Sequence, residues 1–107
     1  MDSPFEVHLT RNAEKDLLGL RDLTERATNE ILALKQNPHK GHPLKGSLRG
    51  ARALDFSLKG VAYRAAHVVL ESERVCLVFM VGPHEGSYEK AERRVKALRQ
   101  RLGHMVK

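Results

Sequence analysis

Apolar and polar positions alternate at the start of this chain. Phe5, Val7 and Leu9 interleave with Glu6, His8 and Thr10, the period of a strand with one buried face. The period then lengthens: Ala13, Leu17 and Leu20 recur at helical spacing behind Thr10 or Asn12, either of which supplies a capping oxygen. A second stripe, Ala27, Ile31 and Leu34, predicts a helix from Leu23 to about Lys35, with Asp22 and Glu25 spaced as a capping box. Asn37-Pro38 ends it, and the segment to Gly50, with Pro38, Gly41, Pro43 and Gly46, reads as a loop.

The pattern is β-rich beyond that loop. Ala51 to Ser57 predicts a strand with Arg52, Leu54 and Phe56 on one face and Ala51, Ala53, Asp55 and Ser57 on the other. Val61 to Leu70 and Arg74 to Val81 are apolar on both faces and joined by the polar turn Glu71-Ser72-Glu73, so they should be neighbours in the middle of a sheet. After the loop Gly82 to Ser87, the seam Tyr88, Ala91, Val95, Leu98, Leu102 predicts a closing helix that Gly103 stops. The fold class expected is α/β (α+β): two N-terminal helices packed on a mainly antiparallel four-stranded sheet, with a C-terminal helix. No repeat or low-complexity segment interrupts it, and 107 residues fit a single domain, residues 1–107.

Composition narrows the class. The single Cys76 lies in the apolar run VCLVFMV, where cysteine acts as a small buried hydrophobe. The run Val75 to Val81 is too short to span a bilayer, and Met-Asp-Ser-Pro is no signal sequence, so the expectation is a cytoplasmic protein with no membrane partner. Charge is segregated along the chain. Residues 1–35 carry five basic and seven acidic side chains, whereas residues 36–64 carry six basic ones against Asp55 alone. Arg93, Arg94, Lys96, Arg99 and Arg101 crowd near the end. A cationic face built this way attracts polyanions by counterion release; a plainly solvated surface is the bland alternative.

Gly60 to Arg94 brings an arginine, Arg64, a loop histidine, His84, and a tyrosine, Tyr88, into plausible reach of one another. Such side chains stabilise a phosphate, move a proton and hold a ribose hydroxyl, which points to RNA. The remaining histidines show no ligand spacing, so no metal site and no cofactor is expected.

Several motifs together carry a resemblance. PLKG at Pro43 to Gly46, Arg49-Gly50, AYR at Ala62 to Arg64 and VGPHEGSYEKAERR after the last strand, in this order of elements, resemble the RelE/ParE toxins of type II toxin-antitoxin modules, nearer the RelE branch. RelE-type toxins are ribosome-dependent endoribonucleases that cut messenger RNA in the decoding site without a metal, whereas ParE-type toxins inhibit DNA gyrase. Fold alone does not separate these activities. The resemblance implies a toxin that inhibits translation as an endoribonuclease (mRNA interferase), with ribosome and mRNA as targets and a cognate antitoxin as hetero-oligomeric partner; a ParE-like toxin or a degenerate RNA- or antitoxin-binding relative is the alternative.

Metal-independent RNA cleavage needs a base for the 2′-OH proton, a cation for the phosphorane oxygens and an acid for the 5′ oxygen. Arg64 is the candidate cation; the competing reading is a buried pair with a carboxylate such as Asp55. Tyr88 matches the family's C-terminal tyrosine, and its ring also fits the start of the helical seam. His84 stands where many RelE relatives carry arginine and some carry histidine, and either serves as acid or base or is merely solvated. The resemblance further implies RNA-binding roles for Lys45, Arg49, Arg52 and Lys59 on the hairpin, with Arg93 and Arg94 on the last helix; Asp55 stands where a cation is expected.

Overall fold

The structure, a computed structural model, describes residues 4–102. Strand β1 (Glu6–Leu9) leads into helix α1 (Arg11–Leu18), a 3₁₀ turn (Arg21–Leu23) and helix α2 (Thr24–Leu32). Strands β2 (His42–Pro43), β3 (Arg52–Leu58), β4 (Val61–Leu70) and β5 (Val75–Pro83) follow, and helix α3 (Tyr88–Leu102) closes the chain. The sheet order is β1-β5-β4-β3-β2, antiparallel except where β1 runs parallel to β5. The sheet therefore has five strands rather than the four expected. The addition is β2, a two-residue edge strand inside the Pro- and Gly-dense loop. It closes on β3 through Gly41, whose φ is +95°, and a Cβ there would lie 2.1 Å from the Ala53 carbonyl oxygen.

Both faces of the sheet are covered. Ala13, Leu17, Ala27, Ile31 and Leu34 pack with Leu54, Phe56, Leu58, Ala65, Cys76 and Val78 on one face. Ala91, Val95 and Leu98 of α3 pack with Leu48, Ala66, Val68, Phe79 and Met80 on the other. The pleat alternates side chains between these cores, and one irregularity resets it. Ala66 faces Met80 while His67 faces Val78, so Phe79 is an extra residue on β5, a β-bulge. Phe79 and Met80 consequently both point toward α3. Cys76 is fully buried as a small apolar residue, and burial pushes its thiol up to about 12.

Helix ends follow the sequence in one case and depart from it in the other. The Thr10 hydroxyl oxygen accepts from the Ala13 amide at 3.1 Å and caps α1. The expected capping box at Asp22 and Glu25 is not formed: the Leu23 amide already bonds Leu20, the backbone enters α2 in helical conformation, and no side chain caps it. Thr24 instead donates its hydroxyl proton to the Leu17 carbonyl at 2.6 Å, tying α2 to the end of α1. Gly103, the expected stop of α3, lies outside the described residues.

Where β1 ends, a side chain continues its work. The last main-chain bond from that side is Thr10 N–H to the Val78 carbonyl. Beyond it the Val81 amide donates to Asp16 Oδ2 at 3.0 Å, and Arg94 Nη1 donates to the Phe79 carbonyl at 3.1 Å. Arg94 also grips Asp16 with both terminal nitrogens, at 2.5 and 3.2 Å. Asp16 is 10% exposed and Arg94 19%, so the pair is screened little by water. Lys90 Nζ also lies 3.8 Å from Asp16 Oδ1, so removing Arg94 leaves the carboxylate one half-exposed cation, whereas removing Asp16 leaves the Arg94 charge without its carboxylate. Asp16→Ala or Arg94→Ala should lower unfolding stability by about 2 kcal/mol or more, read as a fall in the urea midpoint.

His67 is a second buried polar group, fully enclosed on β4 between Arg52 and Val78. Burial pushes its pKa down to about 4, against the pull of the Ala65 and Pro38 carbonyls and with help from the Arg52 charge. In the unfolded chain histidine titrates near 6.5. The unfolded state thus binds the proton first as pH falls, and stability complete above pH 6.5 drains away down to about pH 4. The loss should reach roughly 3 kcal/mol, and His67→Leu should flatten that limb of a stability-against-pH curve.

Candidate functional site

Helix α3 covers the β5 side of its face and leaves Asp55 and Ser57 of β3 and Ala62 of β4 exposed beside it. Arg64 lies on this open part, paired across β3 with Asp55 and across β5 with Gly82. Its side chain is 14% exposed. Nε donates to Asp55 Oδ1 at 2.9 Å, and Nη2 donates to His84 Nε2 at 2.8 Å. A guanidinium cannot accept, so His84 Nε2 is the acceptor and the imidazole is neutral, with its proton on Nδ1. Two of the five donors of Arg64 are spent in this way, which fixes the plane of the group without exhausting it.

His84 owes its place to the sheet. Its amide donates to the Ala62 carbonyl at 2.9 Å, which extends the β4–β5 ladder one step beyond the strand. The chain then turns through Gly86, at φ +81°, and the Ser87 hydroxyl donates back to the His84 carbonyl at 3.0 Å. Ser87 also accepts the Ala91 amide and so opens α3. Arg64 thus makes the carboxylate pair of the competing reading and also meets His84, as its place in the sequence suggests.

Tyr88 is half exposed, outside the core that Ala91, Val95 and Leu98 form, so its ring does not start the buried seam. Its hydroxyl lies 3.2 Å from Ser47 Oγ, and Ser47 in turn donates to Glu92. Among the described residues Tyr88 makes no hydrogen bond to Arg64 or His84. Sequence reasoning missed both new partners. Ser47 is hidden inside PLKGSLRG, but Glu92 stands four residues after Tyr88, the spacing of one helical face.

The cations divide. Lys45, Arg49 and Arg93 are exposed. Lys59 reaches toward Asp22 at 3.7 Å, on the α1–α2 side. Arg52 donates to the His39 and Gly41 carbonyls and holds the β2 loop, and Arg94 belongs to the Asp16 clamp. Both guanidiniums, expected to contact RNA, have acceptors within the protein: backbone carbonyls for Arg52 and a carboxylate for Arg94. Arg99 holds structure too, donating to the Ser47 and Arg49 carbonyls.

The loop histidines also gain neighbours that the sequence concealed. His39 Nε2 lies 2.8 Å from Glu71, and His42 Nδ1 lies 3.9 Å from Asp55. Among the described residues no three His, Cys, Asp or Glu side chains are grouped to hold a metal ion, and no helix is long and apolar enough to cross a membrane.

A family model for the ParE-like toxin of type II bacterial toxin-antitoxin systems matches residues 7–92, a span that contains Arg64, His84 and Tyr88. The chain belongs to this toxin family. No curated protein sequence matches it. Among solved structures, the toxin resembles an arginine double mutant of E. coli RelE in the free state, with a TM-score of 0.69, 21% identity, and coverage of 89% of this chain and 98% of that one. It is also similar to a chain of the RelBE2 toxin-antitoxin complex of Mycobacterium tuberculosis (TM-score 0.64, 21% identity, 76% and 99% covered). A YoeB/ParE toxin from Agrobacterium tumefaciens gives 0.59 at 20% identity, with 74% and 98% covered. At these identities the likeness shows the fold, the RelE-like arrangement of helices on a mixed sheet.

The division of cations in the toxin is open to measurement. Arg52→Ala should cost about 1 to 3 kcal/mol of stability, as for hydrogen bonds made by charged donors. Lys45→Ala and Arg93→Ala should stay within about 0.5 kcal/mol of the parent in the same urea titration.

Proposed function

We propose that this toxin is a metal-independent endoribonuclease that cuts messenger RNA on the ribosome and so inhibits translation. The observation that carries the reading is Arg64, held by Asp55 on one side and His84 on the other with donors to spare. A fixed, partly desolvated guanidinium is the group needed where charge builds on a phosphorane. When phosphate binds, Arg64 Nη2 turns to it and frees His84 Nε2 to take up a proton.

In the step that follows, the ribose 2′-oxygen, oriented by the Tyr88 hydroxyl, gives up its proton to solvent and forms a bond to phosphorus. The bond from phosphorus to the 5′ oxygen breaks, and protonated His84 supplies that oxygen with its proton. A 2′,3′-cyclic phosphate and a 5′-hydroxyl result, with no oxidant and no metal needed. Exposed Lys45, Arg49 and Arg93 serve the RNA backbone. The toxin acts in the cytoplasm, and its partner is an antitoxin that covers the basic face with an acidic or amphipathic segment.

A second reading has its own support. The match is to a ParE-like model, and Asp55, Arg52 and Arg94 leave fewer free cations than the sequence suggested. On that reading the toxin binds a protein target such as DNA gyrase. Single-turnover cleavage of ribosome-bound mRNA separates the two. Arg64→Ala should fold as the parent does and cut roughly 10²- to 10³-fold more slowly, the loss seen when one oxyanion donor is removed. Absence of cleavage by the parent, with inhibition of DNA supercoiling in its place, would establish the second reading.

A further inference from the structure

The short turn that carries Ser47 is docked onto one stripe of α3. Leu48 is 1% exposed and packs in the core with Ala91, Val95 and Leu98. Arg99 donates to the carbonyls on either side of it, at 3.0 Å to Ser47 and also to Arg49. Tyr88 and Glu92, four residues apart, face the same turn through the Ser47 hydroxyl. Three side chains of one helix thus hold a single 3₁₀ turn, Gly46–Leu48, in register with the start of that helix.

The contacts have a direction. Ser47 has one hydroxyl proton, and the Glu92 carboxylate, an acceptor only, takes it. Toward Tyr88, therefore, Ser47 Oγ has only lone pairs to offer, and the Tyr88 hydroxyl must donate inward across the 3.2 Å gap. Its single proton is committed to the protein. The lone pairs of a half-exposed hydroxyl are left facing outward.

We infer that Ser47 and Glu92 are positioning residues that hold the Tyr88 hydroxyl as a hydrogen-bond acceptor for the substrate. The inference rests on the nuclease reading and adds to it a polarity. A tyrosine with its proton turned inward meets the 2′-OH as an acceptor and cannot protonate the departing 5′ oxygen, which leaves that step to the His84 side of the site. Without the Ser47–Glu92 pair the Tyr88 hydroxyl would rotate freely in water, and part of its population would present a proton where a lone pair is needed.

Single-turnover cleavage of ribosome-bound mRNA by the intact toxin tests this. Ser47→Ala and Glu92→Ala should each slow the chemical step roughly 10- to 100-fold, the scale of a misplaced catalytic group, with the half-saturating ribosome concentration unchanged. Ser47→Thr, which keeps the hydroxyl, should recover most of the rate. In a Tyr88→Phe background neither alanine variant should slow the reaction further, because nothing remains to be positioned; a purely structural loss would persist there. Should an alanine variant lose its urea transition, Glu92→Gln replaces it in the same cycle. Parental rates in both alanine variants, or losses that add to Tyr88→Phe, overturn the positioning role and leave the nuclease reading standing. A parent toxin that cuts nothing overturns both.

Discussion

The fold hangs on a carboxylate that replaces a strand. β1 pairs with β5 for only four residues, and past Leu9 the β5 backbone would face an open edge next to a bulge. Asp16 takes the Val81 amide and Arg94 serves the Phe79 carbonyl, so the two groups that the missing strand would have satisfied are met by α1 and α3. The ion pair between them is thus more than an attraction across the molecule. It joins helices from opposite faces of the sheet around the end of a strand, and unpaired main-chain groups there would each cost free energy comparable to a lost hydrogen bond.

That anchorage settles what α3 can do elsewhere. With Arg94 fixed on the strand side, the stripe of Tyr88, Glu92 and Arg99 is aimed at the Gly46–Leu48 turn, and Ala91, Val95 and Leu98 fill the layer between. One helix therefore sets the position of the turn, the tyrosine and, through Ser87, the loop that ends at His84. Arg64 comes from the sheet instead and is fixed by Asp55 independently of α3. The site is assembled from two separately anchored parts, and the junction between them is the short run from His84 to Tyr88.

Local pattern carried most of the fold. The strand β1, the stripes of α1 and α2, the apolar runs of β4 and β5 and the seam of α3 from Ala91 onward appear where the sequence places them, but Leu9, expected on the buried face of β1, and Tyr88, expected to open the seam, are exposed. β2 escaped, since two residues among glycines and a proline show no period and exist only through pairing with β3. The capping box failed because a 3₁₀ turn had already supplied the geometry a cap would give. For the candidate site, the meeting of Arg64 with His84 was legible from an arginine out of place on an apolar strand and a histidine in the glycine-bracketed loop that follows the next strand. Ser47, Glu92 and the internal duties of Arg52 and Arg94 were not, because each is defined by a partner distant in sequence.

The two residues that depart from the pattern implied by the sequence resemblance meet in space. Asp55 stands where the resemblance read from the sequence implies a cation and His84 where it implies an arginine in many members, and both bind the same guanidinium. Three cations at these positions would repel one another in a partly dry cleft and would need bound phosphate to hold them together. An acceptor on each side of Arg64 removes that conflict before any ligand arrives. The consequence is a site with a weaker positive field and a better fixed donor; on the nuclease reading, its recognition of a phosphate would come from where its N–H groups point rather than from accumulated charge. Lys45, Arg49 and Arg93 are exposed on the surface, so on the nuclease reading long-range attraction of RNA would be physically separate from the group that would stabilise its reacting phosphate.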